Sequence, residues 1–357
     1  MIPYEKNLFV IVDASQKIGS GHFMRCVTLS EKLKSLFDKI IFITSNESKL
    51  LINENKKIIS KIIHIDSFKN LKLDNFSNEV NKIKIILNEY PHDDNFLLID
   101  HYDIDTNFET ILKEFFKKIF VIDDLANRKH NCNLLIDHGY YRSQNTRYDS
   151  LISKNTMKLL GPKYAIINTK FKNENKIFDD EKFSIKNILI TFGSVDSTNE
   201  CEKVTDALCL INNKNFKISV IAGMYNPNFE YLEKKYKKYE NIKIFRHVNE
   251  IEKLMSNSDL CFGAGGTTNF ERFCSGLPSI VTIVADNQKD GVEYLSKMGH
   301  VVNLGMAKDV TIQSYVDKLK NLDLNLLYKM AKNNQKFIDG LGSFRIKKEI
   351  SKMINDV

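Results

Sequence analysis

Leu8-Phe9-Val10-Ile11-Val12-Asp13-Ala14-Ser15-Gln16-Lys17-Ile18-Gly19-Ser20-Gly21-His22 is an apolar run that stops at an aspartate and passes through two glycines. Cys26, Leu29, Leu33 and Leu36 then recur at helical intervals. The stretch reads as strand, glycine loop, helix, the unit from which parallel sheets are built. Further short β-rich runs, each separated by helix-length segments, follow at Ile40 to Ile43, Phe96 to Ile99, Ile119 to Ile122 and Leu134 to Ile136. The alternation resumes at Ile188 to Thr191, Ile218 to Ile221, Ile242 to Phe245, Leu260 to Phe262 and Ser279 to Ile283. The fold class is therefore α/β, with two parallel sheets built in succession.

A chain of 357 residues is long for one core and divides naturally into two domains. The stretch Lys170 to Lys186, crowded with Lys, Asn, Asp and Glu, is the natural linker. The expected domains are residues 1–168 and 187–357, joined by 169–186. Thr311 to Ile354 reads as two or three helices, with Tyr315, Leu319, Leu322 and Leu326 at helical spacing, and the last helix can return to the first domain.

Apolar residues make up 43% and charged residues 27% of the chain, and no apolar run reaches the length that spans a bilayer. The first residues lead into a strand without the features of a secretion signal, so the expected location is the cytoplasm, with no membrane partner. Six cysteines lie without any C-x-x-C pairing, which argues for core thiols and against a zinc cage or disulfide framework. The formal charge of +7 comes from scattered lysines and predicts no nucleic-acid partner, although a mild positive field attracts a phosphorylated substrate. A monomer or weak oligomer is expected.

Two loops carry the chemistry. In the first, Gly19 and Gly21 let the backbone approach a ligand at the carboxyl end of a parallel strand, where α/β sheets bind. His22 falls in the first helical turn, where the dipole disfavours an imidazolium and a neutral ring can accept a proton from water. The plainer role of a turn-packing histidine is less apt beside such a loop. Asp13 either orients a loop donor or His22, or simply forms the turn.

The second loop follows Leu260 to Phe262 and reads Gly263-Ala264-Gly265-Gly266-Thr267-Thr268-Asn269-Phe270-Glu271-Arg272. It lacks the Gly-Lys-Ser/Thr of a P-loop and the G-x-G-x-x-G spacing of a dinucleotide fold, so neither an ATPase nor a dehydrogenase is indicated. Gly263, Gly265 and Gly266 can present amides to phosphates, and Thr267 and Thr268 add hydroxyls. Glu271, one turn on, can take both ribose hydroxyls or merely complement the dipole. Asn287 and Gln288, with Asp286, sit after the next strand and suit sugar hydroxyls or N-acetyl groups, or serve as a plain cap.

Asp13-Ala14-Ser15-x-x-Ile18-Gly19-x-Gly21-His22-x-x-Arg25, Asp100-His101-Tyr102, Gly161-Pro162-x-Tyr164-Ala165 and Gly263-Ala264-Gly265-Gly266-Thr267-Thr268-x-x-Glu271 together resemble one family. It is the UDP-2,4-diacetamido-2,4,6-trideoxy-β-L-altropyranose hydrolases of pseudaminic acid biosynthesis, with the related spore-coat polysaccharide proteins. The likeness runs in order from about residue 8 to 300. It implies two Rossmann-like domains facing a cleft in a GT-B architecture, UDP held mainly by the second, and hydrolysis at the anomeric carbon with no metal and no cofactor. In that picture His22 activates water, Tyr102 lies beside it, and Arg25 contacts substrate. Two motifs depart from the family pattern: Asn168 stands where an arginine is common, and Phe192-Gly193-Ser194-Val195-Asp196 replaces Phe-Gly-Gly-Ser-Asp.

The expected reaction is inverting attack of water, deprotonated by His22, on C1 of a UDP-linked diacetamido-trideoxy sugar. Diphosphate leaves readily, which removes the need for a general acid. A glycosyltransferase would place an acceptor hydroxyl where the water sits, an epimerase would give different products, and a sensor would bind without turnover.

Overall fold

The computed structural model describes residues 5–14, 19–45, 48–65, 76–90, 94–172 and 183–355. The chain forms two compact units, the first of Met1–Gly139, Ser143–Ile166 and Gly342–Val357, the second of Tyr140–Arg142 and Ile167–Leu341. Much of the expected linker, residues 173–182, lies outside the described residues, as do Ser15, Gln16, Lys17 and Ile18 of the first loop.

The first unit runs β1 (Asn7–Val12), α1 (Gly21–Leu33), β2 (Lys39–Ser45), α2 (Lys49–Glu54), β3 (Lys61–Ile65), α3 (Phe76–Leu87), β4 (Asn95–Asp100), α4 (Thr106–Leu112), β5 (Lys118–Ile122), β6 (Leu134–Asp137) and β7 (Met157–Leu160). Its seven strands lie in the order β3-β2-β1-β4-β5-β6-β7, every pair parallel. All six residues of β1 are buried, because helices cover both faces of a parallel sheet and central strands must be apolar throughout. Strand order reverses between β1 and β4, and their register sets Val12 against Asp100. The loops after these two strands therefore emerge side by side at the topological switch point, the place where open α/β sheets bind ligands.

The second unit runs β8 (Asn187–Thr191), α5 (Glu200–Ile211), β9 (Lys217–Ile221), α6 (Phe229–Tyr236), β10 (Ile242–Phe245), α7 (Ile251–Ser256), β11 (Leu260–Ala264), α8 (Thr268–Cys274), β12 (Ser279–Ile283), α9 (Lys289–Lys297), β13 (Val302–Met306), α10 (Ile312–Lys320) and α11 (Leu324–Phe337). Its six parallel strands repeat the pattern as β10-β9-β8-β11-β12-β13. Here the switch lies between β8 and β11, whose register sets Thr191 against Gly263.

The last helix, α12 (Gly342–Asn355), belongs to the first unit and packs on α1. Ile346, Ile350 and Ile354, four residues apart, form its buried stripe. Lys32 lies 5.1 Å from the Phe344 ring centre, and Arg345 donates to the Lys163 carbonyl. The helical spacing read from Tyr315 to Leu326 needs correction. It crosses a break, since Leu322 falls between α10 and α11, where the Asp323 side chain caps the new helix by accepting from the Leu326 amide. Leu326 is itself exposed.

Candidate active site

In the first unit α1 carries His22 and Arg25 one turn apart, and both reach the end of β4. Phe23, Cys26, Leu29 and Leu33 bury the inner face of the helix, which fixes its rotation. Gly19, at φ +80°, takes a left-handed backbone that turns the chain into the helix. His22 Nδ1 lies 2.6 Å from Asp100 Oδ1. Arg25 grips the same carboxylate in two places, Nε to Oδ2 at 2.5 Å and Nη2 to Oδ1 at 2.6 Å, and its Nη1 donates to Asp124 Oδ2 at 2.7 Å. The Tyr102 hydroxyl donates to the other oxygen of Asp124 at 3.0 Å. Its ring meets that of His22 edge to face, with centres 4.5 Å apart.

Both carboxylates are charged. Burial opposes ionisation of Asp100, but the adjacent Arg25 guanidinium, with His22 beside it, outweighs that cost and holds the carboxyl far below its usual range. Asp124 faces the same contest and is held at about 2. Burial, reinforced by Asp124, pushes the Tyr102 phenol well up, so it remains a donor.

An ionised Asp100 accepts only, so its short contact with His22 requires the proton on Nδ1. Arg25 Nη2, 3.0 Å from the same nitrogen, has no acceptor to offer and cannot compete for that proton. The tautomer follows: Nδ1 donates to Asp100 and Nε2 carries the free lone pair. No described residue hydrogen-bonds Nε2.

Several expectations change in detail. Arg25 is 4% exposed, and carboxylates engage three of its nitrogens, so it braces the His22–Asp100 pair. Asp13 does not meet His22. It accepts from its neighbour's Ala14 amide at 2.9 Å and from the Ser45 and Ser48 hydroxyls, tying the end of β1 to that of β2. Asp100 and Asp124 had no assigned role in the sequence reading. The signal available was that both lie at carboxyl ends of strands, β4 and β5, facing the switch point.

In the second unit, the loop after β11 is shaped by three close approaches. A Cβ on Gly263 would fall 1.9 Å from Arg272 Nη1 and 2.8 Å from the Thr191 carbonyl, and one on Gly265 would fall 2.2 Å from Val292. Gly266 instead faces open space, with only Gln288 Nε2 at 3.9 Å. Gln288 Oε1 accepts from the Gly265 amide at 3.1 Å and the Val284 amide at 3.2 Å, stapling the loops after β11 and β12 together. The Gly265 amide is thus occupied. The amides of Gly266, Thr267 and Thr268, where the chain enters α8, meet no acceptor among the described residues.

Glu271 is half-buried, and no described residue hydrogen-bonds its carboxyl; burial pushes it up to about 7, against the lowering effect of Arg272. Asn287 sits with Gln288 in a single turn of 3-10 helix before α9. Asn168 accepts from the Lys170 amide, and Asp196 caps α5 through the amides of Glu200 and Cys201. The departure at Asn168 therefore holds local backbone, as does Asp196, the residue that the second motif keeps. Among the described residues there is no cluster of three or more His, Cys, Asp or Glu that could hold a metal, and no helix long and apolar enough to cross a membrane.

Residues 187–344 match the glycosyltransferase family 28 C-terminal domain. An uncharacterised protein of Methanocaldococcus jannaschii is 28% identical over 301 residues, 81% of this chain and 58% of its own length, so the chain spans little more than half of that relative. The spore coat polysaccharide biosynthesis protein SpsG of Bacillus subtilis is 23% identical over 94% of this chain and 95% of its own. The UDP-2,4-diacetamido-2,4,6-trideoxy-β-L-altropyranose hydrolase of Campylobacter jejuni is 26% identical over 81% of this chain and 96% of its own. Among solved structures, MurG of Acinetobacter baumannii superposes with a TM-score of 0.67 at 15% identity, over 97% of this chain and 99% of its own. The UDP-GlcNAc 2-epimerase of Neisseria meningitidis, bound to UDP-GlcNAc, gives 0.64 at 14% identity, over 97% and 100%. At such identities these two establish the fold, two Rossmann-like α/β domains. The chain is therefore similar over most of its length to a UDP-2,4-diacetamido-2,4,6-trideoxy-β-L-altropyranose hydrolase and to a spore coat polysaccharide biosynthesis protein, and its residues 187–344 match the glycosyltransferase family 28 C-terminal domain.

Proposed function

We propose that the chain is a nucleotide-sugar hydrolase that releases UDP from C1 of a UDP-linked 2,4-diacetamido-2,4,6-trideoxy sugar. The observation that carries this reading is the 2.6 Å contact between His22 Nδ1 and Asp100 Oδ1, which leaves Nε2 as the acceptor of a proton. A water bound there gives its proton to Nε2 as its oxygen attacks C1 from the face opposite the nucleotide. The bond from C1 to the diphosphate oxygen breaks, the electron pair leaves with UDP, and the anomeric centre inverts. The developing imidazolium is stabilised by Asp100, as in other base–carboxylate pairs.

In this reading the second unit holds the nucleotide. The Gly266, Thr267 and Thr268 amides and the threonine hydroxyls face the diphosphate, Glu271 takes the ribose hydroxyls, and Asn287 with the Gln288 amide group faces the sugar. Tyr102, its hydroxyl tied to Asp124, walls the His22 ring. The names of the hydrolase relatives support the substrate class.

A second reading, glycosyl transfer from the same donor, is favoured by the glycosyltransferase family 28 match. The test is incubation with the UDP-linked diacetamido-trideoxy-altrose and no acceptor, following UDP and free sugar by NMR, alongside His22→Ala. Stoichiometric UDP and sugar from wild type, with a loss of about 10² to 10⁴ in the variant, is the expected result. Binding without release until an alcohol acceptor is added would replace hydrolysis with transfer.

A further inference from the structure

Arg272 is among the largest fully buried side chains in the chain, at 0% exposure. Its Nη2 donates to the Ala264 carbonyl at 2.7 Å and to Asn269 Oδ1, and Nη1 lies 3.9 Å from Cys261 Sγ. Its Nε has no hydrogen-bond partner among the described residues. No carboxylate of a described residue pairs with it. The same chain shows how it otherwise buries a guanidinium: Arg25 is met by Asp100 and Asp124 at once. Burying an unpaired cation is costly, and proteins rarely retain one without use.

Its position suggests the use. The guanidinium lies against Gly263, at the end of β11 beside the switch between β8 and β11, and against the Ala264 carbonyl that opens the loop. Gly263 has no side chain because the guanidinium fills the space where one would go. The Ala264 carbonyl is drawn inward to Nη2, ahead of the loop amides of Gly266 to Thr268. Helix α8, at seven residues, is too short to provide much field of its own. Its chain neighbour Glu271, pushed up to about 7 by burial, is only partly ionised near neutral pH, and no hydrogen bond or ion pair joins the two side chains.

We propose that Arg272 is a positioning residue whose buried, uncompensated charge draws the diphosphate of the nucleotide onto the Gly266–Thr268 amides, acting through the loop backbone without touching the ligand. The inference rests on the reading that this loop binds UDP. A charge against the loop backbone in a low-dielectric interior is only weakly screened, so it should act on each phosphate in turn.

The experiment is calorimetric titration of the full chain with UDP, UMP, uridine and inorganic pyrophosphate, in wild type, Arg272→Gln and Arg272→Lys. For Arg272→Gln we expect UDP and pyrophosphate affinity to fall more than about ten-fold, UMP less, and uridine hardly at all. Arg272→Lys, which keeps the charge and loses the planar fork, should keep the preference for UDP over uridine. An equal loss for uridine and UDP in the Gln variant would reduce Arg272 to a loop brace and overturn the proposal. So would loss of the UDP preference in the Lys variant, a comparison that stands even if the Gln variant does not fold. Wild type that binds pyrophosphate but not UDP would sink the nucleotide reading while the pyrophosphate series still tests Arg272. Wild type that binds neither overturns both.

Discussion

His22 and Asp100 stand 78 residues apart in sequence and 2.6 Å apart in space, Nδ1 to Oδ1. The carboxylate fixes the tautomer of the ring and is in turn fixed by Arg25. Asp100→Asn removes one acceptor from this arrangement. Oδ1 serves both His22 Nδ1 and Arg25 Nη2, and Oδ2 serves Arg25 Nε, so either orientation of the amide sets its NH2 against a guanidinium donor. With the NH2 toward His22, Nδ1 must accept and the proton moves to Nε2; with the oxygen there, the ring keeps its tautomer but loses the negative charge that stabilises an imidazolium, and the proposed base is weakened either way. We expect kcat for UDP release to fall by about 10² to 10⁴ with UDP affinity within about two-fold of wild type, measured by single-turnover release and calorimetry. Near-normal kcat would remove Asp100 from the mechanism.

Arg25 holds two buried carboxylates whose folded-state pKa values are both depressed. Their contribution to stability is fully present above the ordinary carboxylate range and is lost as pH falls through that range toward about 2, the value at which Asp124 is held. Arg25→Met leaves Asp100 and Asp124 buried without a cation, and we expect a loss of about 3–5 kcal/mol at pH 7. The sign of the pH dependence then reverses, because the orphaned carboxyls now favour protonation. Urea denaturation should show the deficit shrinking between pH 7 and pH 5. A constant deficit across that interval would mean that Arg25 acts by packing alone.

Much of this was legible from sequence, and the exceptions share physical causes. The central strands announced themselves because both faces are buried, as in Leu8 to Val12. The strands missing from the sequence reading, β3, β7 and β13, are all at sheet edges, where one flank is unpaired and burial is partial. Lys61 and His64 in β3 are exposed, and no residue of β13 is fully buried, so neither offers a clean apolar run. The placement of His22 in the first turn of α1 was readable because one short stretch carries its strand, loop and helix. Its partners were not, since Asp100 and Asp124 reach it only through the strand order β1-β4-β5, which no local pattern encodes. Arg272 was hidden differently: an arginine in a short polar-looking helix reads as a surface residue until Gly263 is seen to leave room for it.

The glycines of the second loop differ in what they face, and substitution should separate them. Gly266→Ala adds a methyl into open space, with nothing of the protein closer than Gln288 Nε2 at 3.9 Å. Its melting temperature should stay within about 2 °C of wild type, consistent with a stability change under ~0.5 kcal/mol. UDP affinity should nevertheless drop, because the methyl occupies the face on which the diphosphate is proposed to rest. Gly263→Ala drives a methyl against Arg272 and the Thr191 carbonyl, and should cost about 1–3 kcal/mol of stability whether or not ligand is present. Thermal melts with and without UDP distinguish the two. Unchanged UDP binding in Gly266→Ala would place the diphosphate elsewhere.

Glu271 gives the chain a pH dependence opposite in sign to that of Arg25 and its carboxylates. Burial raises its folded-state pKa to about 7, above the ordinary value for a glutamate, so the folded protein holds a proton that the unfolded chain has already released. Stability from this group is intact at acid pH and declines as pH rises from the unfolded value through about 7. Partial exposure screens the effect, and on the order of 2 kcal/mol is the expected span. Asp137, raised to about 7 by burial, adds a slope of the same sign, so the comparison must be between variants and not within wild type. Glu271→Gln copies the protonated form in shape and cannot ionise. It should match wild type at pH 5 and exceed it at pH 8.5 in urea denaturation. Equal stability at both values would show that the carboxyl is better solvated than its surroundings imply. Binding supplies a second reading of the same residue: if Glu271 takes the ribose hydroxyls, the variant should lose most of the wild-type preference for UDP over its 2′,3′-dideoxy analogue, because an amide offers one acceptor where the carboxylate offers two.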